Sequence, residues 1–404
     1  MVPPSFPAPP PAGSVFAVPG GYLVFAGGAP HSGATPAIGA ALVNVSGDGA
    51  DPTVVQTTIA PAGSMLIGAA AAPTGQALVV WTSPGRGGAY FAVVTTSGGE
   101  LHVGSPSPVH AAPDFGDLSS VAFDGQGFLV LGGDANCCPP TGLTVQRIGL
   151  DGVPVGGFLH AVGTNVIAQL FATVSTPKGA AVLWAEETPT PSPNPPLHAS
   201  LITHDGAIAQ DVLLPDDRSA RMSELAWTDD RLLYVGPPNS PSNVATTTLR
   251  DFGWFGESAW ETSVPGMADG VPAMGSGKVY LSVTDTAEAS STHSVYAVTP
   301  GGAVEPVAKG LPSLSILGGD GCGHVLIASA PPRNTGVPHQ SGAPWTLRVL
   351  GSSAAVNVGS DLSYMYMTTG AFLAGSSSAG FLWNETSMGS AAPSTVRFAT
   401  IGWH

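Results

Sequence analysis

Two adjacent cysteines, Cys137 and Cys138, form the most unusual chemical feature of this sequence. They stand between a Gly-Gly pair and a Pro-Pro pair, in the segment Gly132–Pro140. Neighbouring cysteines can close a vicinal disulfide, whose eight-membered ring strains the peptide bond between them, and backbone strain of this kind concentrates at ligand clamps. We therefore predict a vicinal disulfide, with two reduced loop cysteines as the alternative.

Charged and amide side chains also cluster in polar segments between apolar runs, where binding residues are commonly found. The candidate ligand-binding residues are His31, Arg86, Asp134, Cys137, Cys138, Glu186, Glu187, His293, Arg333, Asn334, His339 and Glu385. No catalytic residue is assigned, because the sequence has no zinc-ligand spacing, no nucleophile elbow and no phosphate-binding glycine loop.

The charge balance excludes some partners. The formal net charge is −15, whereas nucleic acids and anionic membrane surfaces are bound through Lys and Arg. No apolar stretch is long enough for a membrane span. No metal site and no cofactor are predicted, although the acidic surplus leaves open a divalent cation such as calcium.

The polar segments alternate with a recurring pattern of turn and strand. Apolar residues make up 43% of the chain and charged residues only 10%, while 54 Gly and 39 Pro indicate many short elements joined by turns. A Gly/Asp turn followed by a short apolar run recurs about every fifty residues. The runs are Tyr22–Phe25, Ala77–Trp81, Phe128–Leu131, Ala180–Trp184, Leu232–Val235, Val279–Val283, Val325–Ala328 and Phe381–Trp383.

A second turn, such as Asp151–Gly152 or Asp205–Gly206, follows in most units and lies after an alternating run. Each unit is therefore predicted as four antiparallel strands, A to D, with tight A–B and C–D turns and a longer polar B–C loop. Such repeats favour a single all-β domain, a β-propeller of eight four-stranded blades, with seven blades as the alternative. In this architecture the B–C loops and D–A connections share one face, which carries the candidate residues.

The last unit lacks a predicted D strand, because its C strand, Thr395–Ile401, is followed closely by His404. The Pro-rich segment 1–12 precedes the propeller, residues 13–404, and its residues Val2–Pro10 could supply that outer strand, an edge position where proline is tolerated. A tail outside the ring is the alternative.

The repeat resembles the bacterial β-propeller superfamily over nearly the whole chain, in shape and not in a diagnostic motif. Eight-bladed quinoprotein alcohol dehydrogenases carry a vicinal disulfide near their cofactor, and Cys137–Cys138 is similar to it. Their docking motif Ala-x-Asp-x-x-Thr-Gly-x-x-x-Trp is missing, so no quinone is predicted.

Three functions remain open at this point, and the last of them is a purely structural surface component. The first is an exported binding or interaction module whose B–C face holds a carbohydrate or a protein. The second is a hydrolase or lyase with carboxylate and His residues at the channel mouth, with or without a metal. The composition favours a monomeric bacterial protein that is secreted or held at the cell surface, although residues 1–13 do not form a signal peptide.

Overall fold

The computed structural model describes twenty-three stretches of the chain. These are residues 13–27, 37–45, 52–83, 88–109, 117–133, 142–157, 159–162, 166–187, 196–214, 224–228, 231–236, 246–268, 272–275, 277–285, 292–311, 314–319, 324–329, 345–350, 352–353, 355–358, 363–372, 377–387 and 395–402.

The described residues form β-strands and turns, with no α-helix among them, in eight antiparallel sheets. Blade 1 contains β1 (Gly13–Val18), β2 (Gly21–Ala26), β3 (Ile38–Asn44) and β4 (Thr53–Ala60). Blade 2 contains β5 (Met65–Ala71), β6 (Gln76–Thr82), β7 (Ala89–Ser97), β8 (Glu100–Val103) and β9 (Ser107–Pro108). Blade 3 contains β10 (Asp117–Phe123), β11 (Phe128–Gly133), β12 (Thr144–Ile148) and β13 (Leu159–His160). Blade 4 contains β14 (Ile167–Thr176), β15 (Gly179–Glu187), β16 (Leu197–Thr203) and β17 (Ile208–Leu214).

The second half of the chain repeats this arrangement. Blade 5 contains β18 (Glu224–Thr228), β19 (Arg231–Gly236), β20 (Thr246–Asp251) and β21 (Trp260–Pro265). Blade 6 contains β22 (Met267–Ala268), β23 (Ala273–Gly275), β24 (Lys278–Asp285), β25 (Thr292–Val298) and β26 (Val304–Leu311). Blade 7 contains β27 (Leu314–Gly319), β28 (Val325–Ser329), β29 (Trp345–Leu350) and β30 (Ala355–Val358). Blade 8 contains β31 (Ser363–Phe372), β32 (Ser378–Ser387) and β33 (Thr395–Gly402).

The eight sheets close into a ring, which confirms the predicted eight-bladed propeller. Hydrophobic clusters fill the interface between each pair of consecutive blades. Blade 8 meets blade 1 around Tyr22, whose hydroxyl donates to the Ser378 hydroxyl at 3.0 Å and whose ring lies 5.6 Å from that of Phe398. The core is therefore a ring of inter-blade layers, because each sheet buries both faces against its neighbours.

Tight turns at glycine join strands A and B, as the sequence pattern predicts. Gly20 between β1 and β2 has a φ of 84°, and Gly277 before β24 has a φ of 71°. These left-handed conformations cost glycine little, since it has no Cβ. The chain therefore reverses sharply on one side of the ring, which we name the turn face, while the B–C loops and D–A connections emerge on the other, the B–C face.

The innermost strands carry a feature that the repeat pattern does not predict. In five blades the A–B pairing skips one residue of strand A, which is a β-bulge. The skipped residues are Ile67, Ser119, Phe171, Leu317 and Thr368. In blade 6 the inner strand is interrupted, and β22 and β23 pair separately with β24. The bulges kink the strands that line the central channel.

Of three predictions about particular segments, one is wrong and two concern residues that the structure does not describe. The single D strand predicted for blade 3 over Val153–Ala161 is wrong, since Pro154 forms only an isolated bridge with Ile148, and a left-handed Gly156 separates it from β13. Residues 1–12 and the Cys137–Cys138 segment lie outside the described residues, so ring closure by the tail and the vicinal disulfide stay predictions. Within the part of the chain that the structure describes, no helix is long and apolar enough to cross a membrane.

Candidate functional site

Four of the predicted ligand-binding residues lie in the described parts of the chain, and all four are strand residues where loops were expected. Glu186 and Glu187 are the last residues of β15, His293 is the second residue of β25, and Glu385 pairs with Met365 inside β32. The strands extend further than the apolar runs because backbone pairing continues through polar residues. The other eight candidates lie outside the described residues: His31, Arg86, Asp134, Cys137, Cys138, Arg333, Asn334 and His339.

Glu186 belongs to a polar network on blade 4, at the end of the strands that borders the B–C face. The Trp184 indole nitrogen donates to the Ser200 hydroxyl at 2.8 Å, and that hydroxyl donates to Asp211 Oδ1 at 2.5 Å. The other oxygen, Asp211 Oδ2, lies 3.0 Å from His198 Nδ1. The His198 ring stacks on Trp184 with centroids 4.3 Å apart, and its Nε2 lies 3.6 Å from Glu186 Oε2. We call these five residues the His198 cluster.

Burial is graded across the His198 cluster. Trp184 is 3% exposed and Ser200 is fully buried, whereas the side chains of Glu186 and Asp211 are 38% and 40% exposed. The His198 side chain lies between these extremes at 15%. Ser200 and His198 therefore hold the half-exposed Asp211 carboxylate in a set geometry, which is how a binding site is preorganised, and the Glu186 carboxylate lies beside it, 3.6 Å from the His198 ring.

The electrostatics of the cluster follow from its hydrogen bonds. A carboxylate only accepts hydrogen bonds, so the N–H group at Nδ1 of His198 is the donor of the hydrogen bond to Asp211. Among the described residues Nε2 is buried and has no hydrogen-bond partner, and Glu186 Oε2 is 3.6 Å from it. The cluster thus presents an imidazole nitrogen and a carboxylate oxygen to the same small space.

Blade 6 holds a second polar group near the same face. Asp285 Oδ2 accepts hydrogen bonds from Thr292 at 3.0 Å and from Ser294 at 2.8 Å. Burial, followed by the charge of Asp285, raises the pKa of the Tyr296 hydroxyl. His293 points to the opposite side of the sheet and lies 3.5 Å from the Thr284 hydroxyl, so it does not join Asp285.

A partly buried carboxyl group lies at the start of the innermost strand of blade 5. Glu224 is the first residue of β18 and pairs with Val235, which packs against blade 6. Burial raises the pKa of Glu224, and no other cause contributes. A carboxyl group whose pKa is raised by burial, at the end of an innermost strand that borders the B–C face, is a candidate general acid.

A further charged group, formed by Arg231, Asp251 and Glu257, lies on the turn face of blade 5. Arg231 Nη1 donates to Asp251 Oδ2 at 2.6 Å, and the Gly253 amide donates to Asp251 Oδ1 at 3.0 Å. Glu257 accepts from the Phe255 amide at 3.1 Å, and its pKa is raised by burial and then by the Asp251 carboxylate. Phe252, Trp254 and Phe255 of the loop 252–259 pack into the hydrophobic cluster between blades 4 and 5, so the charged group braces this loop.

A groove of about 550 Å³ separates blade 1 from β33 of blade 8. Its walls carry small apolar and hydroxyl side chains, among them Ala41 and Thr57, with Arg397 and Phe398 on the blade 8 side. The groove lies on the outside of the ring and away from the His198 cluster. In the described residues it marks the place next to β33 where other blades have their fourth strand.

The residues that sequence reasoning missed are His198, Ser200 and Asp211. From the sequence alone His198 lies in or beside a predicted C or D strand and is expected to be a surface or hydrogen-bonded residue with no role in binding; His102, His160 and His204, which share this expectation, are exposed. The sequence signal for this cluster is a pair of polar residues, His198 and Ser200, at alternate positions of β16, next to Trp184 in the neighbouring strand. Among the residues that the structure describes, no group of three His, Cys, Asp or Glu side chains is arranged to hold one metal ion.

Comparison with known proteins supports the fold. No family model and no curated protein matches the chain. Among solved structures, a prolyl endopeptidase aligns with a TM-score of 0.52 and 12% identity over 92% of this chain and 54% of its own. Prolyl oligopeptidase B from Galerina marginata aligns with a TM-score of 0.51 and 8% identity over 93% of this chain and 56% of its own.

Identities this low show a shared fold alone, and the chain spans about half the length of these peptidases. The β-propeller domain of the trilobed protease from Pyrococcus furiosus aligns with a TM-score of 0.45 and 14% identity over 70% of this chain and 80% of its own. The eight-sheet ring therefore gives this chain the β-propeller fold.

Proposed function

We propose that this propeller is a binding module whose B–C face receives a polar ligand rich in hydrogen-bond donors at the His198 cluster. The observation that supports this most is the half exposure of Glu186 and Asp211 on either side of His198, with Asp211 held by hydrogen bonds to His198 and Ser200. Carboxylates only accept hydrogen bonds, so their ligand must donate. Saccharide hydroxyls and the ammonium or guanidinium groups of a protein partner have this chemistry.

Binding arrays test the proposal. The protein is applied to a glycan array and to an array of basic peptides, together with Glu186→Gln and Asp205→Asn. Asp205 is the matched control because it is an exposed carboxylate of the same blade on the turn face, where Thr203 and the Ala207 amide lower its pKa. We expect binding that falls at least tenfold in Glu186→Gln and is unchanged in Asp205→Asn. Blank arrays, or equal binding by both variants, would contradict the proposal.

A second candidate function is acid–base catalysis at the channel mouth, and the burial of Glu224 favours it. A carboxyl group whose pKa is raised stays protonated closer to neutral pH and can donate a proton to a leaving group. The peptidases above are enzymes, but their likeness to this chain concerns the fold.

The enzyme hypothesis predicts a hydrolase whose activity depends on the Glu224 proton. Screening against chromogenic glycosides, esters and peptide amides should yield an activity that falls about 100-fold or more in Glu224→Gln. The rate should decline as the pH rises through the raised pKa of Glu224. An activity that Glu224→Gln retains in full would reject this role.

A further inference from the structure

The outermost strand of blade 4, β17, presents a backbone edge beside the His198 cluster. Among the described residues β17 pairs with β16 on one side and with no strand on the other. Every second residue of such an edge directs its amide and carbonyl groups away from the sheet, where they can pair with another chain. Asp211 and Leu213 lie two positions apart on β17, opposite Ser200 and His198, so both side chains are on the face that carries the cluster.

Leu213 is an exposed apolar residue next to a fixed charge. It is 62% exposed, more than any other large hydrophobic side chain in the described part of the chain. Asp211 is held in place, because Ser200 donates to its Oδ1 at 2.5 Å and His198 Nδ1 lies 3.0 Å from its Oδ2. A charge that serves only to keep a strand edge in solution needs no such fixation. The edge therefore combines free backbone groups, an apolar side chain and an oriented carboxylate.

We propose that the edge of β17 binds an extended, basic segment of a protein partner as an added strand. In this mode of recognition main-chain hydrogen bonds supply affinity, and alternate side chains supply specificity. Partner residues directly opposite Asp211 and Leu213 have their Cβ atoms about 4.5–5.5 Å away, on the same face. Asp211 selects Lys or Arg, and Leu213 selects an apolar residue. In an antiparallel pair, such as β16 and β17 form, the partner sequence is an apolar residue, any residue, and then Lys or Arg.

The charge around the edge favours a basic segment. Glu186 and Asp211 bring two negative charges and His198 brings at most one positive charge, so the cluster is negative in either protonation state of the histidine. The whole chain carries a formal net charge of −15, which attracts a basic segment and speeds its encounter. Charge complementarity therefore holds both at the edge and over the molecule.

A peptide fits this surface better than a saccharide. Trp184 is 3% exposed and its indole nitrogen donates to Ser200, so its ring offers no open face on which a sugar can stack. The free amide and carbonyl groups of a strand edge match the repeat of a peptide backbone. This inference rests on the proposed binding function and deepens it, because it names an extended peptide as the ligand.

The outermost strand of blade 6 provides a matched comparison. In β26, Val307 is 45% exposed and Lys309 follows two positions later. This strand has the spacing of an apolar and a charged residue but the opposite sign of charge, so it repels a basic segment. Pro306 also removes an amide donor from its backbone. Val307 is therefore the control position for Leu213.

A library of random nine-residue peptides, displayed on phage and selected on the immobilised full chain, tests the inference. We expect the enriched peptides to share an apolar residue two positions before Lys or Arg. In fluorescence anisotropy, a synthetic copy should bind Leu213→Ser about tenfold or more weakly, because the burial of the leucine is lost. It should bind Asp211→Asn about two- to fivefold more weakly and Val307→Ser unchanged. Circular dichroism verifies that the variants fold, as expected for exposed positions.

N-methylated copies of that peptide distinguish strand addition from contact of side chains alone. N-methyl groups at alternate residues remove the amide donors along one edge of an extended peptide. One of the two alternate patterns should therefore abolish binding, and the other should preserve it. No enriched peptide, enriched peptides without the predicted spacing, full binding by Leu213→Ser, or equal effects of the two patterns overturns strand addition at β17.

The glycan array described above separates this inference from the proposed function. Glycan binding that depends on Glu186, with no enriched peptide, overturns strand addition and leaves the binding module intact. Peptide binding that depends on Leu213 and Asp211 but is unchanged in Glu186→Gln supports strand addition and overturns the proposed role of Glu186.

Discussion

Asp251 is a fully buried carboxylate that forms an ion pair with Arg231. The Arg231 side chain is 25% exposed and donates at 2.6 Å, and the Gly253 amide supplies a further hydrogen bond. Removal of the partner leaves a buried charge uncompensated, which costs about 3–5 kcal/mol in comparable pairs. We therefore predict that Arg231→Ala destabilises the protein by about that amount, measured by denaturant unfolding.

Arg250→Ala is the control for this experiment. Arg250 lies 3.9 Å from Glu261, and both side chains are about one-third exposed or more, so the loss should stay below about 1 kcal/mol. Equal losses in the two variants would show that the burial of Asp251 does not matter.

Glu257 gives the turn face a pH dependence of known sign. Burial first, and then Asp251, raise its pKa in the folded state above the unfolded value of about 4.3. Its contribution to stability is therefore complete below that value and is lost as the pH rises through the raised folded pKa. We predict that Glu257→Gln removes this loss, so that the variant unfolds at a higher temperature than the natural chain at pH 8 but not at pH 4.

Melting curves at the two pH values measure the effect, with Glu261→Gln as the control. Glu261 also lies on blade 5 and is 45% exposed. A gain at pH 8 that is the same in both variants would reflect net charge and would reject the role of Glu257.

At the scale of strands and turns, two glycines in equivalent A–B turns face different surroundings. Gly179 has a φ of 148°, and a Cβ there would lie 1.9 Å from the Ile202 carbonyl oxygen. At Gly277, with a φ of 71°, a Cβ would meet nothing within 4 Å. We predict that Gly179→Ala costs about 3 kcal/mol or more, because overpacking adds to backbone strain. Gly277→Ala should cost about 1–2 kcal/mol from strain alone.

Denaturant unfolding of the two alanine variants compares these costs directly. If both variants lose the same stability, the close approach of Gly179 to β16 is not a determinant of the turn.

The turns and apolar strands were predictable because their determinants are local. A glycine in a left-handed turn and an alternating run can be identified from a few neighbouring residues, as at Asp205–Gly206. The bulges in the innermost strands could not be predicted, because whether a residue such as Phe171 is skipped depends on how β14 pairs with β15. Pairing between strands depends on both strands, so the sequence of one strand does not determine where a bulge forms.

The His198 cluster escaped prediction for the same reason. A regular hairpin around Asp205–Gly206 would place Gln210 opposite Ser200 and turn Asp211 to the other side of the sheet. The structure has a register shift between Leu201 and Ile202, which brings Asp211 opposite Ser200. One extra residue in β17 therefore creates the contact with His198, and no spacing rule for a regular hairpin could show it.

At the scale of the whole molecule, the ring closes between blade 8 and blade 1 with two different kinds of contact. Tyr22 and Val24 belong to one hydrophobic cluster with Phe398, and the Tyr22 hydroxyl donates a hydrogen bond to the Ser378 hydroxyl. Further out, the groove of about 550 Å³ separates β33 from blade 1. Described residues form the contact around Tyr22. A further segment that binds in the groove would add contacts between blade 8 and blade 1 and so stabilise the closed ring.

The prediction that Val2–Pro10 supplies the outer strand of blade 8 belongs to this scale. Some D–A connections are short, with residues 359–362 between β30 and β31 and residues 312–313 between β26 and β27, whereas residues 215–223 between β17 and β18 form a longer one. A strand ending at Pro10 would leave two residues before β1, a length this fold already uses. We predict that deletion of residues 2–11 lowers the melting temperature and causes concentration-dependent association, because the edge of β33 would be free to pair with another chain.

Differential scanning calorimetry and light scattering of the deleted chain measure both effects. Replacing the same residues with a Gly/Ser sequence of equal length is the control, since it keeps the length but removes the apolar side chains of Val2 and Phe6. If the segment is part of the ring, both variants lose stability, and the replacement loses less because its backbone can still pair with β33. If both melt like the natural chain, the segment lies outside the ring, and the inner contacts around Tyr22 are sufficient to close the propeller.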